Sequence, residues 1–188
     1  MPYAIPDGDV VSIIDAPPPP MALLAPGGLL IALVHYESHP PVAMLARPYL
    51  SLAGLRVDPV ITGRQRTHRV TGLSVLRVAD GTVRPLALPD GARLSVPAWA
   101  PDGRRLAFTI DESDGIGVWV ADAQAATAAQ VPGLRVRDVL GGDPLSIGNT
   151  VRWSRDSSSL IVLSEPAERS VLPESPAEPQ IEETAGKR

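Results

Sequence analysis

Short apolar runs separated by Pro, Asp and Gly fill most of the chain, and their spacing predicts strands. Leu106 and Phe108 alternate with Ala107, the period-two pattern of a half-buried strand. They follow Trp99-Ala100-Pro101-Asp102-Gly103, a strand end and a tight turn in which Pro101 fixes its own φ and Gly103 supplies positive φ. A worn copy runs from Trp153 to Leu163, and a fainter one from Ala25 to Leu33. Three copies of one turn-and-strand unit indicate a repeat architecture.

Around these copies the other elements fall into order. Val10 to Ile14 is a short strand candidate, followed by the stiff connector Asp15-Ala16-Pro17-Pro18-Pro19-Pro20. No Arg flanks that connector as an SH3-type ligand would require, so it reads as a linker. Met21–Leu24 and Leu29–His35 form two strands around Pro26-Gly27-Gly28. Val42 to Leu45 is a short helical or irregular piece, and residues 48–70 form a long connection. Leu73–Val78 and Thr82–Leu88 flank Asp80-Gly81, the signature of a hairpin with a two-residue type I′ turn. Leu94–Trp99, Arg105–Ile110, Gly117–Ala121 and Thr127–Val131 are four successive strands, the last ended by Pro132-Gly133. The Ala-rich stretch 121–129 has helical propensity, but Val118-Trp119-Val120 runs straight into it, which favours a turn and an outer strand. Ile147–Trp153 and Leu160–Ser164 begin a further unit.

Four meandering strands make one blade of a β-propeller. The expected fold is all-β: a partial, open propeller of about two and a half four-stranded antiparallel blades. Its parts are an extended Pro-rich segment, 1–20, and a propeller portion, 21–164, with blades at about 21–88, 94–131 and 147–164. Residues 165–188 hold Glu and Pro in place of apolar residues and are expected to be a disordered tail or linker. A propeller closes with at least about four blades. The end blades should therefore carry bare strand edges and open faces through which the isolated chain self-associates.

Composition narrows the chemistry. The 188 residues carry a net charge of −4, which does not fit the basic footprint of nucleic-acid binding. There is no cysteine, hence no disulfide framework, thiolate metal site or cysteine nucleophile. Lys187 is the single Lys among 17 basic residues, a codon bias expected of a GC-rich bacterial genome. The most apolar run, Met21 to Val34, is too short to span a bilayer and is broken by Pro26-Gly27-Gly28. It is preceded by Asp7, Asp9 and Asp15 with no basic residue, unlike a signal peptide, so the compartment stays open.

Candidate chemistry is sparse. No Gly-x-Ser-x-Gly elbow is present; Leu76 stands where the second Gly would follow Gly72 and Ser74. His35 and His39 have helical metal-ligand spacing, but His35 ends a strand pattern and Pro40-Pro41 follows His39. Asp111 to Gly115 places Gly where a calcium loop needs its third oxygen ligand, and reads as a hairpin turn. No metal or cofactor is expected. One cationic cluster stands out in the long connection, Arg64, Arg66, His68 and Arg69, which reads either as a solvated polar loop or as a cationic lip on the propeller.

With these motifs placed, the chain resembles the N-terminal propeller of prolyl-oligopeptidase-family serine peptidases, and among them the glutamyl endopeptidase branch. The resemblance rests on Ile13 to Pro20, Leu45-Ala46-Arg47-Pro48, Leu52-Ala53-Gly54-Leu55-Arg56-Val57-Asp58, Arg64-Gln65-Arg66, Thr71-Gly72-Leu73, Trp99 to Phe108 and Val118 to Asp122. It implies that further blades and an α/β-hydrolase domain lie outside this chain, so that the chain alone hydrolyses nothing. It implies that the propeller gates peptide access to that domain. If the family's cleavage after Glu applies, Arg64, Arg66 and Arg69 would form a cationic lip for substrate carboxylates. The Trp-x-Pro-Asp-Gly unit is shared with TolB-like propellers, which leaves a protein-binding module as the alternative. A non-functional truncated gene product is a further one. A Gly-x-Ser-x-Gly in frame after Arg188 would favour the peptidase.

Overall fold

The computed structural model describes residues 6–37, 39–52, 54–65, 69–138 and 150–165. A helix, α1 (Gly8–Ile14), comes first. The strands β1 (Met21–Leu24) and β2 (Leu30–Tyr36) follow, then a helical turn, α2 (Val42–Leu45). Next are the short strands β3 (Leu50–Leu52), β4 (Leu55–Asp58) and β5 (Gly63–Arg64). The chain continues with β6 (Val70–Arg77), β7 (Val83–Pro85), β8 (Ala98–Trp99) and β9 (Arg105–Asp111). It proceeds through β10 (Ile116–Asp122), β11 (Thr127–Arg135), β12 (Val151–Trp153) and β13 (Leu160–Val162).

These strands form two four-stranded antiparallel sheets, ordered β1-β2-β6-β7 and β8-β9-β10-β11, and a hairpin β12-β13. This is the expected all-β, open propeller-like arrangement. The first two sheets are blades one and two, and the hairpin opens blade three.

The blades stack because their faces alternate. Leu106 and Phe108 on β9 pack with Ala32, Val34, Leu73 and Val75 of blade one. Ala107, between them, packs with Val118, Val136 and Val151 on the side of blade three. β9 is thus buried on both faces, not half-buried: apolar bulk fills one side, and a small Ala lets blade three approach on the other. Trp119 and Ala121 of β10 join the blade-one side, whereas Ile116 and Val118 join the blade-three side.

The three turn copies superpose in hydrogen bonding. Ala25, Ala100 and Ser154 each donate their N–H to the carbonyl five residues on, Leu30, Arg105 and Ser159, at 2.8–2.9 Å. Gly28, Gly103 and Ser157 each return an N–H to Ala25, Ala100 and Ser154, at 2.9, 2.9 and 3.0 Å. These three residues sit at φ +73°, +69° and +61°, so the worn third copy keeps the left-handed position without glycine.

Several elements depart from expectation. Val10–Ile14 is helical, not a strand: no neighbouring strand pairs with it, so the segment meets its backbone bonds internally, and none of its residues is buried. The long connection is not structureless; β3, β4 and β5 form a small antiparallel sheet. The Asp80-Gly81 turn is not type I′, because Gly81 takes φ +69° but Asp80 has no positive φ. Arg77 instead accepts the Gly81 N–H and donates to Thr82, closing a four-residue loop. The regular second hairpin strand ends at Pro85, three residues short of Leu88, although Leu86 still donates its N–H to the Leu73 carbonyl at 2.9 Å.

Leu94–Trp99 is likewise no continuous strand. Leu94 makes isolated bridges to Val70 and Ile110, tying the two blades together, and the strand proper is only β8. Between them Ser95 donates its N–H to Thr109 and accepts the Thr109 N–H on its hydroxyl, both at 2.9 Å. β11 runs through Pro132-Gly133 to Arg135, since a register shift opposite Gly117 to Trp119 absorbs the extra residues. The Ala-rich stretch is turn and outer strand as read, with Asp122 accepting the N–H groups of Gln124 and Ala125 at 2.8 Å. The start of the expected strand at Ile147 and the tail beyond Glu165 lie outside the described residues.

Candidate functional site

Of the cationic cluster, Arg64 sits on the inserted sheet between β2 and β6, and Arg69 stands at the entry to β6. Met44 of α2 and Val57 of β4 are buried, and the Arg47 guanidinium reaches the buried Asp58 carboxylate at 3.1 Å. Asp58 also accepts the Val60 N–H at 2.9 Å, which folds the chain back towards β5. Arg56 lies over the Tyr49 ring, 4.7 Å from its centre.

The insertion is fixed to the blades at the ends of their strands. Ile61 packs among Ile116, Val118 and Val136. Gly63 lies so close to Ile116 that a Cβ there would fall 2.6 Å from its Cδ1. The Arg64 N–H donates to the Asp138 carbonyl at 3.1 Å, and the Asp138 carboxylate accepts the Thr150 hydroxyl at 2.8 Å. The insertion therefore bridges blade one to the segments flanking blade three.

Two of the three candidate arginines are described, and they differ. Arg64 is half-buried on β5. Arg69 is 4% exposed at the entry to β6, and its guanidinium forms an ion pair with Asp111 at the end of β9. Arg69 also accepts the Glu37 N–H on its carbonyl, at 3.2 Å. It works as a buried tie between the two blades. Arg66 and His68 lie outside the described residues.

The other candidates have local roles. The His35 ring nitrogen Nε2 shares a 3.0 Å hydrogen bond with the Ser74 hydroxyl across the β2–β6 pair. Asp111 to Gly115 forms the β9–β10 hairpin end, where Glu112 donates its N–H to Gly115 at 2.8 Å. The Glu112 carboxylate gathers the Gln130 amide at 2.8 Å and the Arg135 guanidinium at 2.8 Å. Among the described residues, no three His, Cys, Asp or Glu side chains come together as metal ligands. Among them, too, no helix is long and apolar enough to cross a membrane.

Sequence reading missed the stitching between blades. The Trp99 indole donates to the Leu23 carbonyl at 3.0 Å, and the Trp153 indole donates to the Ala98 carbonyl at 3.1 Å. The repeated Trp was visible; its partner one blade back was not.

No protein-family model matches the chain. It is 33% identical over 187 residues to the "Probable glutamyl endopeptidase, chloroplastic" of Arabidopsis thaliana, covering 94% of this chain and 19% of the relative. It is 30% identical over 190 residues to the protein of the same name in Oryza sativa subsp. japonica, covering 95% of this chain and 20% of the relative. Among solved structures, a protein described as a dipeptidyl aminopeptidase IV from Bacteroides ovatus aligns with 65% of this chain and 19% of its own, at 17% identity and a TM-score of 0.37. Both sequence relatives are plant proteins, whereas the Arg-rich composition led to the expectation of a bacterial genome. The chain is thus homologous, along nearly all its own length, to a segment that makes up about one fifth of the length of each of these two probable glutamyl endopeptidases.

Proposed function

We propose that this chain is propeller from a glutamyl-endopeptidase-like serine peptidase, and that it limits which peptides reach a hydrolase domain carried outside these residues. The observation that supports the reading most is that identity of 30–33% runs through both blades and the opening of the third. Residues 21–164 act as the propeller portion, and the inserted sheet forms one lip of it. Of the candidate arginines, Arg64 is the one proposed to meet a substrate carboxylate, since Arg69 is committed to Asp111.

The test uses a full-length homologue containing this segment. Trp99→Ala with Trp153→Ala loosens the contact between blades without touching a catalytic domain. The expected result is unchanged kcat/KM on a short Glu-containing peptide and a rise of several-fold on a denatured protein substrate. Unchanged size selectivity in a verified loosened propeller would remove the gating role. In the same enzyme Arg64→Gln should raise KM for Glu peptides over Gln peptides.

A further inference from the structure

At the sheet ends that carry the turns 26–29, 101–104 and 122–126, blades one and two part and leave a cleft of about 510 Å³. Its apolar lining includes Leu30 of β2 and Val75 of β6. Register sets Leu30 opposite Arg77, and Val75 opposite Arg84, so all four share the face of blade one turned to blade two. Arg104 lines the opposing wall from the β8–β9 turn.

Arg84 and Arg104 differ from the arginines that are paired with carboxylates. Arg47, Arg69, Arg105 and Arg135 each reach a carboxylate. Arg77 has Asp80 at 3.3 Å, with both side chains well exposed. The side chains of Arg84 and Arg104 have no hydrogen-bond or ion-pair partner among the described residues. One carboxylate lines the cleft, that of Asp102, and it is engaged: it accepts the Arg104 N–H at 2.9 Å and faces Arg105 at 3.6 Å. Two cations without a carboxylate partner, Arg84 and Arg104, therefore face each other across an apolar floor, beside Arg77 with its Asp80 and the engaged Asp102.

Guanidinium forks match carboxylate and phosphate oxygens in pairs, and Arg77, Arg84 and Arg104 are exposed and open to an incoming anion. We propose that this interblade cleft binds a small organic anion, an oxyanion headgroup on a short apolar body. The head lies between Arg84 and Arg104, and the body rests on Leu30 and Val75. The site is independent of the peptidase reading and of the inserted sheet.

The probe is phenyl phosphate, titrated into the 188-residue chain and followed by NMR at the Ala123 and Gln124 amides and at the Arg Nε–H groups. Saturable shifts are expected at these positions. Arg84→Gln with Arg104→Gln should weaken binding at least tenfold with the remaining spectrum intact, whereas Arg152→Gln, on the outer face of β12, should leave it unchanged. Inorganic phosphate should bind several-fold more weakly than phenyl phosphate. Benzoate as a second arm separates a carboxylate preference from a phosphate preference. Shifts that stay linear with concentration, or a double variant that binds like the parent, would overturn the proposal.

Discussion

Trp153 donates its indole N–H to the carbonyl of Ala98 at 3.1 Å, so the inner strand of blade three is pinned to the inner strand of blade two. Trp99 makes the same bond one blade earlier, to Leu23 at 3.0 Å. In blade one the equivalent residue is Leu24, which has no described blade before it and is 63% exposed. The repeat is thus a device for joining blades as much as for building them.

Replacing either Trp by Phe keeps most of the ring and removes the donor, leaving a carbonyl without its partner. Each Trp→Phe change should cost about 1 kcal/mol in urea-induced unfolding. The two bonds share no partner, so the costs should add. A cost near zero for both variants would deny the indole its role as a staple.

Gly103 and Gly28 occupy the same left-handed position in successive turns, but only one is crowded. A Cβ on Gly103 would fall 2.3 Å from the Pro26 carbonyl oxygen, while a Cβ on Gly28 would meet nothing within 4 Å. Gly28→Ala should therefore carry only the conformational penalty of about 1 kcal/mol. Gly103→Ala must also push the first turn away, and should cost at least about twice as much. Thermal unfolding of the two variants side by side checks the order.

The turn-and-strand units were legible because they are local: Pro, Asp and Gly mark the turns, and Leu106-Ala107-Phe108 marks a strand. The inserted sheet was overlooked although Gly54, at φ +84°, stands between Leu50-Ser51-Leu52 and Leu55-Arg56-Val57, a signal of the same kind. The α1 segment misled in the other direction, since β-branched Val and Ile favour strands only where a partner edge exists. The arginines were hardest to read. Closeness in sequence grouped Arg69 with Arg64 and Arg66, yet its carboxylate partner lies on β9. Arg84 and Arg104 look unrelated along the chain, and only the stacking of blades brings them to one cleft.

Arg69 and Asp111 form an ion pair at the junction of blades one and two, with the Arg side chain 3% exposed and the Asp 20%. Removing the cation alone strands a carboxylate in a desolvated site. Arg69→Leu should therefore cost about 3 kcal/mol, and Arg69→Leu with Asp111→Leu markedly less. A double-mutant cycle in urea measures the coupling. Additive losses would mean that the two charges do not sense one another.

Asp156, in the third turn copy, accepts hydrogen bonds from the Ser154 hydroxyl at 2.6 Å, the Ser158 N–H at 3.1 Å and the Ser158 hydroxyl at 2.9 Å. Those donors, the Ser154 hydroxyl foremost, lower its pKa from 3.8 to about 2. A depressed folded-state pKa stabilises the protein above the unfolded value, and that stability fades as pH falls from about 4 through about 2. Ser154→Ala with Ser158→Ala should return the Asp156 midpoint towards the ordinary carboxylate range in an NMR titration. An unmoved midpoint would assign the shift to another cause.

Leu24 and Ile161 stand on the outer faces of the first and third blades, 63% and 65% exposed. Ile161 is opposite Arg152 on the side of the β12–β13 hairpin turned away from Val151, Trp153 and Leu160. Two unlike apolar faces on one chain allow head-to-tail contact between copies. Sedimentation of the 188-residue chain should show mass rising with concentration. Leu24→Ser with Ile161→Ser should weaken that rise while leaving the Tm measured in dilute solution within a degree or two, because neither side chain belongs to the packed core. A parent chain that stays monomeric across the same concentrations would show that these faces do not drive association.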